Sequence, residues 1–417
     1  MPSLDTTQQP AVARTRFRSM APALLAGTAA LTLALTACGG SATDAAGGAG
    51  AGSSAGAAPV SNGAAQVAVS IEHVNDTDEC VPNFTSAPAG PVTFTVTNKD
   101  ASGVNELELL SDQRILGERE NVVSGLKAVS FTVTLTGGSY QIYCPGAGTE
   151  NTPFTVTGDA AATSGSSVAA LLKDGTAGYG KYVSGQVDSL VTAVAALKTA
   201  VDSGDVAASQ KAYAAARPFY ERIEPVAESF PDLDPALDLR VADVVPGTPW
   251  TGFHPLEKDL FTAKTITAGT KALAAGIVTN VAKLKTLTTG LDYKAEELAN
   301  GASGLLEEVQ SSKITGEEEA YSKLDLVDFV ANIEGSQQAF EYLKPALTEI
   351  DADLTKQISG QFDTVNKAMD AYKDPAALGG YKAYTPALKA SDAASLTQLI
   401  QALQQPLARI AEKVATA

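Results

Sequence analysis

Histidine is almost missing from this chain: there are two in 417 residues, His73 and His254. That scarcity excludes several chemistries at once. A zinc peptidase of the HExxH type needs two histidines one helical turn apart with a glutamate base between them, and no such pair exists. A Ser/His/Asp set in the C-terminal part cannot be completed without spending His254 itself. An ordinary blue-copper site needs two His, one Cys and a weak axial ligand. No His or Met closely follows Cys144, and His73 is the sole imidazole of that region. Cysteine is scarce too, at three residues, Cys38, Cys80 and Cys144.

Long apolar runs are confined to one place. Arg14, Arg16 and Arg18 precede an almost unbroken apolar stretch, Ala21 to Ala37, which ends Leu35-Thr36-Ala37-Cys38. A basic region, a short apolar core and small residues before a cleavage point form a secretory signal, and the LTAC ending resembles a bacterial lipobox. The run is short for a membrane span. The expectation is a signal over residues 1–37, lipidation at Cys38, and a mature chain held at the extracytoplasmic face of the cell membrane.

Positive charge is also in deficit, with 30 Lys and Arg against 47 Asp and Glu. Residues 1–37 hold three Arg and one Asp, so their removal takes the formal charge from −17 to −19. Such a surface argues against nucleic acid and anionic headgroups as partners and is compatible with cations.

What is present falls into two halves with different periods. Residues 38–65 are dominated by Gly, Ala and Ser and read as a flexible tether, with a reach of roughly 30 Å. From Val67 to Thr157 apolar residues alternate, as in Val92, Phe94 and Val96 between threonines. This predicts a small β-sandwich over residues 66–158. A Gly/Ala/Ser linker, 159–168, follows. Beyond it the period becomes helical: Val187, Leu190, Val191, Val194 and Leu197 share one face. Further amphipathic stretches lie near 267–290, 293–312, 323–345, 349–373 and 391–415, which predicts an all-α bundle over 169–417.

Two groups of residues point to chemistry. Cys80 and Cys144 lie in the β half. Outside the cytoplasm they form either a disulfide or, with Glu106, a sulfur-ligated metal site. In the helical half, TGFHPLEKDLF places Pro255 in a first helical turn, His254 at its start and Glu257 one turn on. Imidazole and carboxylate on one face are how bundles offer ligands inward. Taken alone, the pair reads better as a cap histidine with a solvated glutamate. Glu221, Glu224 and Glu228 follow at i, i+3, i+7, with Pro218 before the row and Pro225 within it, which should kink the helix; like charges so stacked repel unless solvated or sharing a cation. A second acidic cluster, Asp232 to Asp243, carries Asp238, with Arg240 as a partner. One imidazole among carboxylates suits iron, manganese or zinc rather than Cu(I).

The chain resembles EfeO-type iron-uptake proteins, which have a cupredoxin-like domain followed by an imelysin-like domain that is also classed with peptidases for its HxxE motif. The resemblance is carried by Asn105-Glu-Leu-Glu-Leu109, Gly117-Glu-Arg-Glu-Asn-Val122, Tyr220-Glu-Arg-Ile-Glu-Pro225, Thr251-Gly-Phe-His254, Lys313-Ile-Thr-Gly-Glu-Glu318 and Asp325-Leu-Val-Asp-Phe-Val-Ala-Asn332. It implies a binding component that serves a membrane iron permease and a haem peroxidase-like partner. It implies iron (Fe2+ or Fe3+) at His254, Glu257, Glu221 and Glu224, with Asp238 and Glu317 added; the other ions considered are zinc, and copper for the cupredoxin-like domain. It implies a second site at Cys80, Glu106 and Cys144. The rival functions are a metallopeptidase on the same HxxE pair and a structural lipoprotein. The lipobox departs from the many relatives that are freely periplasmic.

Overall fold

The computed structural model describes residues 56–112, 114–159 and 166–417. The expected leader, the lipidation at Cys38 and most of the expected tether lie outside the described residues. Ten strands come first: β1 (Val60–Ser61), β2 (Ala64–Val74), β3 (Thr77–Pro82), β4 (Ser86–Pro88), β5 (Gly90–Asn98), β6 (Leu107–Ser111), β7 (Arg114–Arg119), β8 (Val129–Leu135), β9 (Gly138–Tyr143) and β10 (Asn151–Thr157). They form two five-stranded sheets. One runs β1-β2-β5-β8, with β3 also on β2; the other runs β4-β10-β9-β6-β7. β2 is parallel to β5 and β4 is parallel to β10, while the other pairs are antiparallel.

The alternation reads out as expected: Val92, Phe94 and Val96 are buried between the sheets. Phe94 stacks on Phe131 at 5.2 Å and meets Phe154 edge-on at 5.3 Å across the sandwich. Burying each ring is worth roughly 1.5–3 kcal/mol. Sheet structure begins earlier than expected, at Val60, because Ala58, Ala64 and Ala65 are small enough to be buried. The residues expected to close the tether therefore belong to the sandwich.

Eleven helices follow among the described residues: α1 (Ser167–Ser203), α2 (Val206–Glu221), α3 (Glu224–Glu228), α4 (Asp234–Asp238), α5 (Phe253–Lys258), α6 (Ala268–Thr288), α7 (Ala295–Ser311), α8 (Asp325–Ile350), α9 (Ala352–Met369), α10 (Pro386–Leu407) and α11 (Ile410–Ala415). Ser166 caps α1 by accepting from the Ala169 N–H at 3.1 Å, and Asp205 caps α2 through the Ala208 N–H at 3.0 Å. α1 buries Val183, Val187, Leu190, Val194, Leu197 and Val201, a stripe at three- and four-residue spacing. No helix among the described residues is long and apolar enough to cross a membrane.

The bundle closes over the outer face of the first sheet. Thr93 and Thr132, which alternation assigns to that face, are buried and hydrogen-bonded to each other at 2.8 Å. Asn300 of α7 donates to the Thr132 carbonyl at 2.8 Å, and Glu296 accepts from the Thr134 N–H at 2.8 Å. At the edge of the second sheet the Ile115 N–H donates to Ser229 O at 2.9 Å. A single-faced sandwich reading misses this, because small polar threonines look like solvent contacts until a helix is laid on them.

Candidate metal centre

The centre forms where broken helices converge. α2 ends at Glu221, and the chain turns through Arg222 and Ile223 before α3 restarts at Glu224. Pro225, which lacks an N–H, sits in the first turn of α3. The helix breaks at the row where the prolines led to a kink being expected, and the break aims Glu221 and Glu224 at the same point. Asp238 ends α4, and His254 and Glu257 lie on α5. The two helices are locked by Gly252, whose φ is 92°. A Cβ there would meet Leu237 O at 2.0 Å, so only glycine permits the contact. The 3-10 turn Lys313–Thr315 and the loop after it supply Lys313, Glu318 and Glu319, and the first turns of α8 supply Asp328 and Asn332.

Two overlapping groups bring ligand atoms within 4.8 Å of one another: Asp238, His254 and Glu318; and Glu221, Glu224, Asp238 and Glu318. His254 is 2% exposed, yet neither ring nitrogen has a hydrogen-bond partner. Its Nε2 is 3.4 Å from Asp238 Oδ1 and 3.7 Å from Glu318 Oε1, and its Nδ1 is 3.8 Å from Glu257 Oε2. Oε2 of Glu257 is likewise buried without a hydrogen-bond partner, as is Oε2 of Glu318, which has only the Arg240 guanidinium at 3.6 Å. Orphaned polar atoms at such depth are costly unless something else binds them. A hard or borderline cation fits that donor set. The other oxygen of Glu257 accepts from the backbone N–H groups of Tyr321 (2.7 Å) and Ser322 (2.5 Å), which ties α5 to the Glu318 loop.

The centre also contains its own cations. The fully buried Arg217 guanidinium donates to Glu221 and Asp238, to Glu318 at 2.8 Å and to Asp328 at 3.2 Å, and pairs with Glu319 at 3.1 Å. Lys313, equally buried, donates to Glu221 Oε2 at 3.0 Å and Glu224 Oε2 at 2.6 Å. Burial opposes the charge on both, but the surrounding carboxylates outweigh it and hold both well above their ordinary values. Burial also opposes ionisation of Glu318; Lys313, His254, Arg217 and Arg240 around it hold the carboxyl down at about 2. Glu224 goes the other way, raised well above the usual range by burial and the charge of Glu221 despite Lys313. For His254 burial lowers the value, and the Asp238 charge and the Glu257 carboxylate beside the ring raise it overall.

A cavity of about 560 Å3 opens beside this centre, between sandwich and bundle. Glu106, Glu108, Glu118 and Glu120 line one wall, and Glu224, Glu228, Asp234 and Glu308 the other. Burial and the neighbouring Glu106 carboxyl push Glu108 up to about 8.

Of the residues read from sequence, His254, Glu221, Glu224 and Asp238 come together, and Glu257 flanks the imidazole. Glu317 does not join them; the carboxylate buried in the group is that of its neighbour Glu318. The loop carrying both has no helical or strand period from which to choose. The GEEE run was the signal for Glu318, and the Lys313 motif for the internal cation, but burial decides both. Arg217 was missed altogether, and Asp328 and Asn332 were seen only as part of the Asp325–Asn332 motif, with no place in the site assigned to them.

The expected second site is corrected. Cys80 and Cys144 are bonded to each other across the sheets, with Cα atoms 6.5 Å apart, a spacing a disulfide accepts. Thiolate is the metal-binding form of cysteine, so the paired sulfurs are withdrawn from ligation. Glu106 instead groups with Glu108 and Glu118, of which Glu108 and Glu118 are cross-strand partners on β6 and β7.

Residues 175–410 match the imelysin family, also described as peptidase M75. An iron uptake system component EfeO of Yersinia pestis is 35% identical over 352 residues, covering 83% of this chain and 92% of that protein. The protein of the same description from Escherichia coli O6:H1 is 34% identical over 336 residues, 80% of this chain and 88% of that one. An Efem/EfeO family lipoprotein of Staphylococcus aureus is 38% identical over 247 residues, 58% of this chain and 86% of its own length. A β-sandwich followed by an imelysin-type bundle agrees with these likenesses: the chain belongs to the imelysin family, among the EfeO-type iron-uptake components.

Proposed function

We propose that this protein captures iron outside the cytoplasm and delivers it to a membrane permease. His254, Asp238 and Glu318 form the centre of the seat, with Glu221 and Glu224 completing it. The observation that carries the reading is the buried imidazole of His254, with both nitrogens orphaned and carboxylate oxygens 3.4–3.8 Å away. Iron is the cargo here, and the relatives' role in iron uptake supports that choice. The carboxyl-lined cleft between the domains offers the ion an approach of oxygen ligands, which give up their protons as a cation binds. A lipid on Cys38 would hold the protein beside its permease, and the lipoprotein relative supports this. A haem peroxidase-like partner belongs to the same reading.

Hydrolysis has less support. One imidazole serves as ligand, no second histidine is near, and Glu257 spends an oxygen on two backbone N–H groups. The test is metal content and affinity of the purified full-length chain with Fe(II), Fe(III), Zn(II) and Cu(II), beside His254→Ala. Iron binding that is lost in the variant supports the reading. Iron binding that survives it moves the seat elsewhere, and metal-dependent peptide cleavage abolished by the same change would replace the reading with the enzyme.

A further inference from the structure

Lys313 occupies the position a bound cation would take. Its ammonium sits between Glu221 and Glu224, two of the four carboxylates whose oxygens converge within 4.8 Å, and 3.8 Å from a third, Glu318. The side chain is wholly buried, so no solvent shares the charge. A divalent ion entering this group at a few ångströms from a buried ammonium would meet strong repulsion in low dielectric. We infer that Lys313 is an exchangeable internal counter-ion, displaced by the metal on capture and returning to expel it on release. The inference rests on the seat proposed above.

Three features make Lys313, and not Arg217, the exchangeable partner. Arg217 lies within α2 and its planar fork is engaged by five carboxylates, whereas an ammonium is a compact charge on a flexible four-carbon stem. Lys313 stands on a three-residue 3-10 turn. A second acceptor is already in place: Glu308 Oε2 is 3.7 Å from Nζ, while Oε1 of the same residue is engaged by Arg240 at 2.8 Å. Glu308 lines the cleft, so the ammonium can withdraw toward it without losing a counter-charge. Asn332 donates to Glu221 Oε2 and Glu224 Oε2, both at 2.9 Å, and would keep the two carboxylates aimed at the seat when the ammonium leaves. Occupancy by an internal monocation also sets selectivity. Ions of single charge gain nothing by exchange, and ions of double or triple charge do.

The experiment compares Mn(II) and anaerobic Fe(II) affinity, by calorimetry on the full-length chain, for wild type, Lys313→Met and Lys313→Arg. Methionine keeps the length and removes the charge; the expected result is affinity raised by about tenfold or more. Lys313→Arg, which keeps the charge, is expected to gain nothing. Glu308→Gln is expected to weaken binding in wild type and to have no effect in the Lys313→Met background. A folded Lys313→Met protein that binds no tighter than wild type overturns the exchange. If that variant unfolds without metal, its unfolding midpoint is measured against Mn(II); recovery with metal supports the exchange, and failure to recover overturns it. Binding by Lys313→Met but not by wild type would keep the counter-ion and sink the capture reading, whereas binding by neither sinks both.

Discussion

Nε2 of His254, on a six-residue helix, and Oε1 of Glu318, on an irregular loop, lie 3.7 Å apart with no hydrogen bond to join them, and both residues are 2% exposed. Two groups that could pair but stand slightly too far apart leave room for a third body between them. Glu318→Gln should therefore lower iron affinity by on the order of a hundredfold, the scale of losing a charged ligand in a dry site. Glu317→Gln, one residue away and outside the converging set, should leave it within about twofold. Calorimetric titration of the two variants separates them; equal losses would return Glu317 to the ligand set.

Gly252→Ala tests how the centre is held. The added methyl would collide with Leu237 O, the residue before Asp238, and Gly252 itself lies two residues before His254. Strain at a positive φ adds to the collision. The expectation is a loss of about 2 kcal/mol or more in stability, together with weakened metal binding as Asp238 and His254 are pushed apart. Urea unfolding and titration on the same sample check both; a loss of stability at unchanged affinity would make the contact purely structural.

Stability should fall as pH rises from 6 to 9. Glu108 and Glu120 are raised by burial to about 8 and Asp234 to about 7, all above their unfolded values. Between the unfolded value and these, the folded state holds more protons, so raising the pH favours unfolding. The contribution is complete below about 4.5 and lost on passing through about 8. Glu318, held at about 2, acts in the opposite sense and weakens the fold only in stronger acid. Calorimetric melting from pH 5 to 9 should show a declining Tm, flattened in Glu108→Gln. A Tm that rises over this range would contradict the protonated cleft.

The native protein should show no reactive thiol at Cys80 or Cys144, with or without chelator. Converting both to alanine opens a link across 64 residues of sequence and should cost about 4 kcal/mol. Iron binding in the bundle should persist, because neither sulfur belongs to the seat. Thiol titration and guanidinium unfolding decide this; free thiols that become protected on adding copper would restore the sulfur-ligated site.

Sequence alone was enough for the architecture and for half of the residues in the proposed seat. A period of two with β-branched residues can bury one face only as a sheet, and a period of three to four only as a helix, so the sandwich and the bundle follow from Val92, Phe94 and Val96 and from Val187, Leu190 and Val194. His254, Glu221 and Glu224 were legible because a lone imidazole and a repeating carboxylate row are conspicuous in their own helices. Periodicity describes one element at a time, however, and cannot say which elements meet. Tertiary structure alone decided that Glu318 and not Glu317 turns inward, that Cys80 and Cys144 face each other closely enough to bond, and that Thr93 and Thr132 lie beneath a helix. It also placed Arg217 and Lys313 among the acids. A long basic side chain reads as solvated in any sequence, and only its enclosure by carboxylates from α2, α3 and the Glu318 loop makes it an internal counter-ion.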